Sequence, residues 1–166
     1  MVSLYTPGYD FTQHQYPERE RSLLESFFTN FGQVGIIVKD IEKAEKGFAK
    51  IGIGPFSPPI AEPTVRWEAW GKPAEVKLEM RFTTIGPLEI ELIEPNSDCM
   101  QKEYLEKKGE GIQHFSFFVK DIDEVVVDMA GKGYRVVQQG WRAHDGGYAF
   151  FDTEKDCGFM LEVIQR

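Results

Sequence analysis

The spacing of apolar and polar residues changes period several times along this chain, and each change predicts an element. Residues 33–38 and 113–119 are apolar runs rich in β-branched and aromatic side chains, the pattern of buried strands. Each run closes on a Lys-Asp pair that leads into a helical pattern, over 41–51 in one case and 121–132 in the other. Asp40 is a fitting N-cap, and Gly52 with Gly54 stops the helix it opens. Strands are predicted at 75–83 and 87–94, joined at Ile85-Gly86-Pro87, and again near 134–139, 147–152 and 159–165. Between these groups, residues 97–108 read as a short helix, with Ser97 as its cap and Lys107 and Lys108 at its C-terminal end. The stretch 54–73 carries five prolines around Trp67 and Trp70, which predicts a long ordered loop or an edge segment. Ahead of all this, residues 1–16 read as an aromatic, turn-prone arm. Pro17 then opens a helix to about Asn30, with Leu23, Leu24, Phe27 and Phe28 as its apolar stripe and Gly32 as its stop.

The two strand-helix runs are copies of one unit. Q-V-G-I-I-V-K-D-I from Gln33 aligns with H-F-S-F-F-V-K-D-I from His114 at a constant offset of 81, which still holds at Phe48/Met129, Ala49/Ala130 and Gly52/Gly133. I-E-L-I-E from Ile90 matches L-E-V-I-Q from Leu161 at an offset of 71. The shorter second copy is accounted for by the proline- and tryptophan-rich stretch of the first. A duplicated unit predicts two similar halves about a pseudo-twofold axis, with equivalent positions converging on one cleft. The boundaries follow: an N-terminal arm and helix over 1–32, a first half over 33–96, and an inter-half helix with the second half over 97–166, all in one domain. Equivalent polar positions are Gln33 with His114 and Glu91 with Glu162, four residues of types that ligate metals.

Composition narrows the function classes. Hydrophobic residues make up 42% of 166 residues and aromatics 13%, enough for a real core. A net charge of −8 argues against nucleic acid, whose binders carry a basic face, and against an anionic membrane surface. No apolar run approaches the roughly 20 residues of a spanning helix, and the N-terminus lacks a charged-then-apolar signal pattern. Two cysteines, Cys99 and Cys157, are too few for a disulfide framework. The expectation is a soluble cytoplasmic protein.

A paired βαβββ unit with a polar residue opening each first strand and a Glu on each last strand resembles the vicinal oxygen chelate superfamily. That superfamily holds glyoxalase I, methylmalonyl-CoA epimerase, extradiol dioxygenases and bleomycin-resistance proteins. The resemblance covers about residues 33–165. The stretches G-E-G-I-Q-H-F-S-F-F-V-K-D-I-D-E-V and F-M-L-E-V-I-Q are most similar to the methylmalonyl-CoA epimerase branch. It implies an α+β fold: two βαβββ repeats forming an incomplete barrel-like sheet around a cleft, plus the extra N-terminal helix. It also implies a homodimer, and a metal held by Gln33, Glu91, His114 and Glu162. Gln33 departs from the epimerase pattern, which usually places His there; a Gln/Glu/His/Glu set is similar to one form of glyoxalase I.

One amide oxygen, one imidazole and two carboxylates suit a divalent ion such as Co, Mn, Ni, Zn or Mg with open coordination positions. Such an ion polarises a carbonyl and stabilises the enolate formed when the neighbouring carbon loses its proton. Inverting that carbon needs basic groups on both of its faces, and Glu91 with Glu162 are the catalytic candidates. Glu79 is a weaker candidate for an additional base. Arg142, within W-R-A-H-D-G-G, would hold a substrate carboxylate with its planar fork. That stretch, which includes His144 and Asp145, reads equally as a lid or an ordinary polar turn. Trp67 and Trp70 would wall the cleft or simply cover the sheet; Lys107 and Lys108 would meet coenzyme A phosphates or serve the helix dipole. Taken singly, His114 reads as a strand histidine held by hydrogen bonds, and Glu91 as a solvated sheet acid. Their equivalence in the repeat is what favours chemistry. The expected function is a metal-dependent isomerase acting α to an acyl-CoA thioester. A glyoxalase I-like lyase acting on a glutathione adduct and a metal-free small-molecule binding protein are the alternatives.

Overall fold

Asp40 and Asp121 open two equivalent helices. The Asp40 carboxylate accepts from Lys43 N, and that of Asp121 from Asp123 N and Glu124 N, bonds worth about 1 kcal/mol each at an N-cap. In a computed structural model that describes residues 27–60, 64–143 and 146–165, these helices are α1 (Ile41–Lys50) and α3 (Ile122–Gly131). Each follows the first strand of its half, β1 (Phe31–Ile37) or β6 (Gly111–Val119). The remaining elements are β2 (Thr64–Ala69), β3 (Lys72–Ala74), β4 (Leu78–Ile85), β5 (Leu88–Pro95), α2 (Met100–Lys108), β7 (Val136–Arg142), β8 (Gly147–Phe151), α4 (Glu154–Cys157) and β9 (Met160–Gln165). The class is α+β, as expected.

One nine-stranded curled sheet runs β3-β2-β7-β8-β9-β6-β1-β5-β4. Its two halves meet where β1 pairs antiparallel with β6, bringing Gly35 opposite His114. Within each half the first strand pairs parallel with the last: Gly35 lies beside Glu91, and Ser116 beside Glu162. The next strand outward places Phe82 beside Glu91 and Phe150 beside Glu162. The duplication read from the sequence is therefore present residue by residue.

Alternation along the strands separates two layers. On the convex face, Ile41 of α1 packs on Val38, Ile90 and Leu92, while Val125 and Met129 of α3 pack on Val119, Phe151 and Val163. Each such side chain contributes about 1.5–3 kcal/mol when fully buried. On the concave face, α2 crosses between the halves. Its Leu105 packs on Ile37, Met80 and Ile93 of the first half, and its Met100 on Tyr148, Phe150 and Ile164 of the second.

Three expectations change. The proline- and tryptophan-rich stretch is an edge hairpin, but its strand β2 adds to β7 of the other half rather than to its own. Its two-residue turn holds Trp70 at φ 52 and Gly71 at φ 70. Glycine accepts that geometry freely, whereas a tryptophan there costs about 1–2 kcal/mol. Ser97 does not cap the inter-half helix. That helix begins later, after Cys99 and without a side-chain cap, and Ser97 Oγ instead accepts from Lys77 N at 2.8 Å. Gly32 lies inside β1 instead of ending a helix, because a Cβ there would come within 2.7 Å of the Phe118 ring. Most of the predicted helix over 17–30 lies outside the described residues. Phe27 and Phe28, at its end, pack against the core beneath α3. No helix among the described residues is long and apolar enough to cross a membrane.

Candidate functional site

The concave face of the seam is almost entirely apolar except where the equivalent polar positions meet. His114 is 0% exposed, and its ring occupies the space that Gly35 leaves empty. A Cβ at Gly35 would fall 1.8 Å from His114 Cε1. Gln113 Oε1 lies 3.3 Å from Nδ1; a carbonyl oxygen only accepts, so this contact keeps a proton on Nδ1. Nε2 then faces the two glutamates, 3.4 Å from Glu91 Oε2 and 3.4 Å from Glu162 Oε2, and lacks a hydrogen-bond partner among the described residues. Glu162 Oε2 also accepts from Ser116 Oγ. Gln33, from the equivalent position of the other half, donates its amide to Glu89 Oε1.

Burial by itself would lower the His114 pKa, but the adjacent charges of Glu162 and Glu91 outweigh it and hold the imidazole above its ordinary value.

Gln33, Glu91 and Glu162 line one cleft, together with Trp67, Arg142, Met80, Phe82, Phe150 and Gln101. The four proposed ligand positions, the two proposed bases and two of the three proposed substrate contacts are thus brought together. Trp70 does not join them. Three residues beyond Trp67 and past the end of β2, it faces a second cavity and is 53% exposed. Glu79 is a further correction: as a neighbour of Leu78 and Met80 it alternates onto the opposite face, where it pairs with Arg81 at 2.9 Å. Lys107 pairs with Glu103, and Lys108 with Glu154, so both are used locally. Trp141 stacks under Arg66, 3.6 Å from guanidinium carbon to ring centroid; His144 and Asp145 lie outside the described residues. Strand alternation in the sequence puts Gly35 and Ser116 on the site face without assigning them a role, and it does not single out Gln113. Their roles depend on neighbours supplied by other strands, although the pairing of Gly35 with Ser116 at the same repeat offset was a signal within reach.

The Glyoxalase/Bleomycin resistance protein/Dioxygenase superfamily model matches residues 32–151, which is most of the chain. The chain belongs to that superfamily. A curated relative, the uncharacterized protein YqjC of Bacillus subtilis, is 27% identical over 94 residues, covering 55% of this chain and 67% of YqjC. Among solved structures, the hypothetical protein BH1468 from Bacillus halodurans superposes with a TM-score of 0.64 at 21% identity, covering 82% of this chain and 94% of that one. Methylmalonyl-CoA epimerase from Mycobacterium tuberculosis gives 0.61 at 18% identity, covering 84% and 89%. A Streptomyces coelicolor methylmalonyl-CoA epimerase variant in complex with 2-nitronate-propionyl-CoA gives 0.60 at 22% identity, covering 83% and 97%. At these identities the likeness establishes the superfamily fold.

Divalent metals are common in this superfamily, so the site can be tested against one. Among the described residues, no three His, Cys, Asp or Glu side chains are grouped closely enough to hold a metal ion by themselves. The donors nevertheless fit in type, offering one imidazole nitrogen, two carboxylates and an amide. The 3.4 Å contacts are comparable to the roughly 3.0–3.4 Å between neighbouring donors that each sit about 2.1 Å from an ion. The buried, unpartnered His114 Nε2 is the atom such an ion would satisfy, with its Nδ1 already oriented by Gln113.

Proposed function

We propose that this chain is a metal-dependent isomerase of the methylmalonyl-CoA epimerase kind, which moves the proton α to a thioester carbonyl. The observation that carries the reading is the pair of pseudo-twofold-related carboxylates, Glu91 and Glu162, meeting at one buried imidazole in a cleft that also presents Arg142. A divalent ion held by Gln33, Glu91, His114 and Glu162 would supply Lewis-acid polarisation of the thioester carbonyl. One glutamate takes the α-proton, and the C–H electron pair moves into the carbonyl as an enolate. The other glutamate, which enters the cycle protonated, gives that proton to the opposite face of the carbon, so that inversion leaves the protonation states of the two glutamates exchanged. Arg142 holds the substrate's free carboxylate. Met80, Phe82 and Phe150 keep water from the enolate. A homodimer, implied by the resemblance, belongs to this reading.

A second reading, a glyoxalase I-like lyase, is favoured by one observation. Glu79 faces away, which leaves Glu91 and Glu162 as the glutamates lining this cleft, so ligand glutamates would themselves act as bases on a hemithioacetal. The test is metal analysis of untagged protein before and after chelation and reloading. Assays of methylmalonyl-CoA and of methylglyoxal with glutathione follow. About one divalent ion per chain with α-proton exchange on methylmalonyl-CoA supports the isomerase, and turnover of the glutathione adduct alone supports the lyase. Failure to hold any of Co, Mn, Ni, Zn or Mg would leave a metal-free binding protein of this superfamily.

A further inference from the structure

Each first strand brings one donor side chain to the seam, and each donor has a wrong way round. An imidazole can present either ring nitrogen. A primary amide can present its oxygen, or an NH2 group that ligates no cation. His114 is fixed from its own strand, by Gln113 Oε1 at 3.3 Å from Nδ1. At the same repeat offset, the residue before Gln33 is Gly32, which has no side chain to offer. An orienting group for Gln33 has to come from another strand.

That group is Glu89. Gln33 stands directly beside it in the parallel pairing of β1 with β5, and Gln33 Nε2 donates to Glu89 Oε1. The equivalent pair in the second half is His114 beside Met160, and a thioether is only a weak acceptor. The halves have thus exchanged places for the polar neighbour, which precedes the donor in one and lies across from it in the other. A carboxylate oxygen accepts and does not donate, so Glu89 bonds only the NH2 end of the amide. The flipped amide would set oxygen against oxygen. Gln33 is 5% exposed, so water competes little for its amide. With the nitrogen held at Glu89, the planar amide turns its oxygen to the opposite side of the group, and Gln33 lines the cleft with Glu91 and Glu162. Donation to a carboxylate also moves electron density toward the amide oxygen, which makes it a better ligand.

We infer that Glu89 is a positioning residue for the metal centre, acting through Gln33 by fixing the amide with its oxygen toward the ion. This rests on the metal-dependent reading of the site and deepens it. Strand β5 then supplies both a ligand, Glu91, and the group that aims another.

The experiment is titration of Co²⁺ and Mn²⁺ into the chelated whole protein, in competition with a chromophoric chelator, together with the visible spectrum of the Co²⁺ form. The proteins are wild type, Glu89→Leu, Glu89→Gln, Gln33→Leu and the Gln33→Leu/Glu89→Leu double variant. Glu89→Leu is expected to weaken both ions about 10- to 100-fold and to alter the Co²⁺ spectrum, with an unchanged circular dichroism spectrum. In the Gln33→Leu background the same substitution should change affinity less than ~2-fold, because the amide through which Glu89 acts is gone. Glu89→Gln, whose carbonyl still accepts from Gln33 Nε2, should recover most of the lost affinity. Wild-type affinity in Glu89→Leu overturns the inference and leaves the four ligands standing. An equal loss in both backgrounds also overturns it, since Glu89 would then act on the ion by charge alone. Failure of wild type to hold either ion would remove the metal-dependent reading and the role of Glu89 together. Metal uptake that depends on Glu89, without turnover of methylmalonyl-CoA, would remove the proposed reaction and leave that role in place.

Discussion

The two halves place the same strands in the same register but different side chains at their centre. In the first half, Gly35 stands beside Glu91; in the second, Ser116 stands beside Glu162. The glycine exists for the other half's benefit, since His114 lies across it. The serine serves its own half by donating to Glu162. Likewise Gln33 gives its amide to Glu89, while His114 turns its Nε2 to both carboxylates. Duplication supplies two carboxylates facing one centre; breaking the symmetry at two pairs of positions makes room for a single imidazole between them. A perfectly symmetric pair of histidines would lack the empty space that one ring needs.

The largest expected effect comes from removing a carboxylate of the pair. Glu162→Gln should lower kcat for α-proton exchange by about 10²–10⁴ with the circular dichroism spectrum unchanged. Activity near wild type in that variant would remove the proposed site. Next is the empty space itself. Gly35→Ala places a methyl group inside the His114 ring, so it should cost about 3 kcal/mol of stability and abolish metal uptake. A normal denaturation midpoint would mean that the ring lies elsewhere. Making the halves alike with Ser116→Ala frees Glu162 from its donor and should cost about 1 kcal/mol in stability, with a shift in metal affinity that Ser116→Thr rescues. Equal metal affinities in all three proteins would show that the serine has no orienting role.

The smallest effect is in the pH dependence of the metal-free protein. The His114 pKa is raised in the fold from its ordinary 6.5. A raised folded-state pKa stabilises fully below the unfolded value, and that stabilisation is lost as pH rises through the folded value. The melting temperature of chelated protein should therefore decline from neutral toward alkaline pH, and His114→Gln should flatten the decline. A wild-type curve that rises over the same range would contradict the imidazolium between the two glutamates.

Much of this was legible in local pattern. Lys-Asp followed by a helical period announced the cap at Asp40, whose carboxylate bonds where expected; Asp121, read as part of its helix, caps it in the same way. The repeat offset brought Gln33, Glu91, His114 and Glu162 to the seam, because side chains two residues apart share a sheet face. Glu79 shows the limit of that rule: without the pairing of β4 with β5 its register was unknown, and it lies with Arg81 on the convex side. Trp67 and Trp70 show another, since Trp67 stands on the strand while Trp70 sits in the turn that follows, so two similar residues face two cavities.

The sequence by itself determined the period of most elements, the cap at Asp40, the duplication and which polar residues are equivalent, since these follow from steric and hydrogen-bonding preferences spanning a few residues. Only the tertiary structure decided that β2 joins the other half's sheet edge, that Gly35 vacates space for His114, and that α2 crosses the concave face between the halves. Those features depend on which distant strand fills which space, and the free energy of close packing is set by neighbours that no local pattern names.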